Sequence, residues 1–68
     1  MIDTNALRGR IAEKGLSQAR VAEKLGITPK TFYEKMGRGV FGTDEVEIMI
    51  DVLEIEDPAK IFFAKKVT

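Results

Sequence analysis

The sequence predicts an all-α domain built from five short helices, and three observations lead there. Apolar residues recur at three- and four-residue spacing in one short segment after another. Each segment opens on a residue that can cap a helix, twice followed directly by proline. No stretch reads as a strand. The 68 residues fit one domain, 1–68, with no internal repeat, low-complexity run or linker. A chain this short buries only about 60% of the surface its unfolded form exposes. It has no cysteine for a disulfide, so helix packing, aided by any self-association, must supply the stability.

The first helix is expected over 3–14, with Asp3 or Thr4 as cap, Leu7 and Ile11 facing inward and Gly15 stopping it. The stretch from Leu16 to Gly39 reads LSQARVAEKLGITPKTFYEKMGRG and contains two helices joined by a tight turn. Ser17 suits an N-cap, because its hydroxyl accepts from a free N–H of the first turn. Val21, Ala22 and Leu25 then form one apolar face. Gly26 falls where a helix end needs a left-handed residue. Ile27 buries, Thr28 caps the next helix, and Pro29 occupies the first position, where its missing N–H has no helical partner to lose. Phe32 and Met36 make the inward stripe. These residues spell a helix-turn-helix at about residues 17–37.

Gly37, Gly39 and Gly42 surround Arg38, Val40 and Phe41, and three glycines in six residues read as a loop. That loop is either a close approach to a phosphate, with Arg38 adding charge, or a connector anchored by Phe41. Thr43 is expected to cap the fourth helix, with Asp44 and Glu45 placing negative charge at the positive end of its dipole. Val46, Met49, Ile50 and Leu53 form one stripe on it, and Ile48, Val52 and Ile55 a second. One core-facing stripe needs only the first. Asp57 and Pro58 open a fifth helix, which carries Ile61, Phe62 and Phe63 towards the basic pair Lys65-Lys66.

Ser17-Gln18, Val21-Ala22, Leu25-Gly26-Ile27-Thr28 and Thr31-Phe32 resemble the helix-turn-helix signature of the lambda-type repressor and Cro family. Thr31 to Met36, with Phe41 and Phe62-Phe63 downstream, looks like the short regulators of Gram-positive phages and prophages. The first likeness covers about a third of the chain, and the second is looser and covers most of it. The chain departs from the broad family at Lys35-Met36, where an aromatic or leucine followed by glutamate is common, and Met36 is expected to replace that anchor. The resemblance implies a lambda-repressor-like fold and a Cro-like regulator of operator DNA, with the helix starting at Thr28 in the major groove. It puts Thr28, Pro29, Lys30 and Glu34 at base edges. Lys30 could donate to guanine O6 and N7, and Glu34 could accept from a cytosine amine. Thr31 is a further candidate. Gln18, Tyr33, Lys35 and Arg38 are candidates for phosphate.

The charge pattern accommodates that expectation although the net charge is zero. Residues 1–42 hold eight basic residues and four acids, a balance of +4. Residues 43–59 hold seven acids and no base, and 60–68 add three lysines. Phosphate is attracted by a local patch rather than by the total. Arg8, Arg10 and Lys14 on the first helix read as a solvated face or, for one or two of them, as backbone contacts. Catalysis has little to work with, since there is no histidine and no cysteine. The carboxylate pairs lie on polar faces or at caps, so no enzyme activity, metal or cofactor is expected. No apolar run approaches the roughly 18 residues of a membrane span, and a cytoplasmic protein is expected.

The second stripe motivates a partner surface made of Ile48, Val52 and Ile55 with Phe62 or Phe63. Its occupant would be a second copy, giving a homodimer on a palindromic operator, or a phage repressor protein, making the chain an antirepressor. The alternative is that the fifth helix folds back and buries the stripe.

Overall fold

A computed structural model describes residues 2–63. They form five helices and, among the described residues, no strand: α1 (Thr4–Glu13), α2 (Gln18–Leu25), α3 (Pro29–Arg38), α4 (Thr43–Val52) and α5 (Pro58–Phe62). None is long and apolar enough to cross a membrane. Lys65 and Lys66 lie outside the described residues.

The caps explain where the helices start. The Asp3 carboxylate accepts from the Ala6 N–H at 3.0 Å, the Ser17 hydroxyl from Arg20 N–H at 3.1 Å, and the Thr28 hydroxyl from Thr31 N–H at 3.2 Å. Each satisfies an N–H that the helix leaves unpaired. Pro29 and Pro58 follow their caps at the first helical positions.

Among the described residues, eleven apolar side chains make the core, including Leu7, Val21, Phe32, Met49 and Leu53, which are essentially unexposed. Phe32 is fully buried, with its ring centroid 5.3 Å from that of Phe41 at an interplanar angle of 53°. Tilted aromatic pairs of this kind contribute about 0.5–1.5 kcal/mol beyond the area they bury. Met36 is also buried, so it is the anchor expected where the family pattern departs. The helices α2 and α3 pack on each other, α2 also meets α4, and α1 meets α5. The Asp3 N–H donates to the Ile61 carbonyl at 2.7 Å, which ties the start of α1 to α5.

Three expectations need correction. Gly37 lies inside α3, which runs to Arg38, because the residue that stops the helix is Gly39 at φ 69°. Thr43 is the first residue of α4 and not its cap. Gly42 holds the cap position, and its N–H donates to the Glu45 carboxylate at 2.7 Å. Ile55 and Phe62 are core residues, so they cannot also form an open partner surface. Ile48 remains exposed on α4 and Val52 half-buried, while Phe63 is 67% exposed. The helix α5 packs on α1 and sends Phe62 into the core, without covering Ile48.

Candidate nucleic-acid interface

The turn between α2 and α3 is held by local bonds. Gly26 has φ 76°, its N–H reaches the Glu23 carbonyl, and the Ile27 N–H reaches the Ala22 carbonyl, each at 3.1 Å. This closure leaves two orphan carbonyls satisfied and turns the chain sharply. Two residues later, Thr28 starts α3. Its hydroxyl also donates to the Thr31 hydroxyl at 2.9 Å, which fixes the first turn of α3 twice. Ala22 and Val21 on α2 and Phe32 and Met36 on α3 are buried together.

Fixing the inner face of α3 determines its outer face. Pro29, Lys30, Tyr33, Glu34, Gly37 and Arg38 are exposed, at the spacing that aligns residues along one side of a helix. Thr28 is exposed at the entry, Thr31 is half-buried, and Gln18 is half-buried at the start of α2. Tyr33 is 52% exposed, with its ring edge-on to Phe32, 6.5 Å between centroids. Among the described residues, Lys30, Glu34 and Arg38 have no ion-pair partner, so their charges are available to a ligand.

Lys35 is differently placed. Its ammonium donates to both Glu45 carboxylate oxygens at 2.7 Å, and the side chains are only 33% and 13% exposed. Burial alone would raise the Glu45 pKa, but the hydrogen bond from Lys35, the Gly42 N–H and the lysine charge outweigh it and hold the pKa below the ordinary 4.5. Lys35 therefore ties the end of α3 to the start of α4, and a phosphate would have to compete with Glu45 for it. Arg10 is similarly engaged. Its Nε donates to the Leu53 carbonyl and an Nη to the Glu54 carbonyl, both at 2.8 Å. Lys14 pairs with Glu54, and Arg8 donates to Asn5 at 3.2 Å. The hydrogen bond from Lys14 lowers the Glu54 pKa. Of Arg8, Arg10 and Lys14, the last two thus join the end of α1 to the end of α4. Sequence reasoning missed the Lys35–Glu45 and Arg10–α4 ties, which join residues 10 and 43–44 positions apart and leave no periodic signal.

A family model described as bacterial regulatory protein, Fis family, matches residues 5–39, just over half of the chain. The chain belongs to this family. The matched stretch takes in nearly all of α1 and the whole α2–α3 unit, so the Fis-family match and the geometry agree on a helix-turn-helix DNA-binding regulator. The match supports that general class and does not single out the lambda-type repressors. No curated protein and no solved structure matches the chain.

Proposed function

We propose that this Fis-family domain is a Cro-like transcriptional regulator, of phage or prophage type, that reads operator DNA in the major groove with α3. The observation that carries the reading is the two-sidedness of α3. Phe32 and Met36 lock one face into the core, while Lys30, Tyr33, Glu34 and Arg38 stand free on the other. In this motif the first residues of the second helix meet base edges. Lys30 then donates to guanine O6 and N7, and Glu34 accepts from a cytosine amine. Thr28, Pro29 and Thr31 line the entry to the groove. Gln18, Tyr33 and Arg38 hold phosphates, which fix register without reading sequence. The phage assignment rests on the resemblance of Thr31 to Met36, with Phe41 and Phe62-Phe63, to short phage regulators, and a cytoplasmic location follows from DNA as the target. Two copies related by a two-fold axis would set their α3 helices about 34 Å apart, matching a palindromic operator.

Selection from a randomised duplex library tests this directly. The protein is expected to enrich a defined site. Lys30→Ala should relax the preference at one base pair and cost about 1–3 kcal/mol there. Gln18→Ala should weaken binding to all sequences alike. No enrichment from the library would end the reading. A second reading, an antirepressor bound to a phage repressor protein, draws on exposed Ile48 and on the seven acids of 43–59. It requires association with a repressor that survives Lys30→Ala and fails with Ile48→Glu.

A further inference from the structure

Most glycines of the chain have a reason within the fold. Gly15, Gly26 and Gly39 adopt φ 70°, 76° and 69°, where other residues are strained. A Cβ on Gly42 would lie 3.3 Å from the Glu45 carboxylate. Gly37 has no such reason. It lies inside α3 without a positive φ, it is exposed, and a Cβ added there would meet no atom within 4 Å. Alanine in its place would favour the helix, because glycine loses more conformational freedom on folding. The bare position therefore weakens α3 and returns nothing to the fold of the chain itself.

Its place on the helix suggests what it returns. Gly37 follows Tyr33 by four residues and Glu34 by three, so it continues the same outward line, and Arg38 is its neighbour. A helix with its side chains is roughly 10–12 Å across, and the major groove is about 12 Å wide, so a helix lying in it has little clearance. A position with no side chain is where the helix backbone can come nearest to a groove wall.

We propose that Gly37 is the close-approach point at which α3 lies against the sugar–phosphate wall of the groove, bringing Arg38 to a phosphate. The inference rests on the DNA reading above, which already gives Arg38 a phosphate, and deepens it by making Gly37 the point where the α3 backbone itself meets the sugar–phosphate wall. The contact is independent of base sequence.

The test compares Gly37→Ala with Gly9→Ala. Gly9 is the other helix-interior glycine with open space around it, and it lines the cleft between α1 and α5. Thermal melts are read beside fluorescence anisotropy on two labelled duplexes, the best one enriched by the parent protein and an unrelated one. Both variants should melt at or above the parent temperature. Gly37→Ala should bind both duplexes on the order of tenfold more weakly, whereas Gly9→Ala should bind as the parent does. Three results would overturn the proposal: Gly37→Ala binding within twofold of the parent, equal losses in the two variants, or a lower melt for Gly37→Ala. Lys30→Ala, measured in parallel, separates the two levels. If it weakens binding while Gly37→Ala does not, the major-groove reading stands and only the close approach falls. If the parent enriches no duplex, both fall.

Discussion

The helices α3 and α4 end in the same way and are held there by opposite means. In α3, Gly39 takes the left-handed position, and the Gly39 and Val40 N–H groups close on the Met36 and Lys35 carbonyls at 3.1 Å each. In α4 the corresponding closure runs from Glu54 to Asp51 at 3.3 Å and from Ile55 to Ile50 at 3.0 Å. There the left-handed residue is Glu54 itself, at φ 49°, the one non-glycine with positive φ among the described residues. A side chain in that conformation costs about 1–2 kcal/mol. What offsets the cost is remote: Arg10 donates to the Leu53 and Glu54 carbonyls, and Lys14 pairs with the Glu54 carboxylate. The turn that ends α3 is thus closed by its own residues, with Lys35–Glu45 an added tie to α4, and the end of α4 is held by Arg10 of α1 and Lys14 just past it.

The largest expected effect comes from cutting the remote tie. Arg10→Met keeps the stem and leaves two carbonyls without their charged donor, so it should destabilise the domain by about 2 kcal/mol in chemical denaturation. Gly26→Ala probes the local closure instead. It forces a Cβ into the left-handed region with nothing to relieve it and should cost about 1–2 kcal/mol. If Arg10→Met proved silent while Gly26→Ala did not, the end of α4 would have to be held by something else.

The Lys35–Glu45 pair links the two regions and gives the comparison a pH dependence. The folded-state pKa of Glu45 is lowered, so its contribution is present above the ordinary value of 4.5 and is lost as pH falls through the lowered pKa. Glu45→Gln should therefore be less stable than the parent by about 1 kcal/mol near neutrality, and the two melting curves should converge in acid below pH 4.5. A constant gap across that range would mean that the pair's charge does not matter.

The smallest effect is the most discriminating. Glu54→Gly removes the left-handed strain and the Lys14 pair together, so the two changes should largely cancel. In a Lys14→Met background, where the pair is already gone, the same substitution should be clearly stabilising, which paired denaturant titrations would detect.

The contrast also explains what the sequence could disclose. The caps at Asp3, Ser17 and Thr28, the left-handed turn at Gly26 and the stripe of Phe32 and Met36 are written within a few residues of where they act. The helix-turn-helix was legible for that reason. A cluster of glycines does not say which of them stops the helix, so Gly37 reads as loop although Gly39 is the residue that ends α3. The second stripe on α4 divided because Ile55 lies past the helix end, where the turn at Glu54 sends it inward, whereas Ile48 stays out. The exposure of Lys30, Tyr33, Glu34 and Arg38 follows from the inward stripe of Phe32 and Met36, which the sequence does show. Lys35 differed because its partner, Glu45, belongs to another helix.

The central claim is that DNA meets the locally specified unit and leaves the remotely tied one untouched. Amide chemical-shift mapping during titration with the best selected duplex measures this most directly. Perturbations are expected to concentrate at Gln18, at Thr28 to Glu34 and at Gly37 and Arg38, with Ile48, Val52 and Leu53 unchanged. Perturbations centred on α4 and α5, with α3 silent, would contradict it.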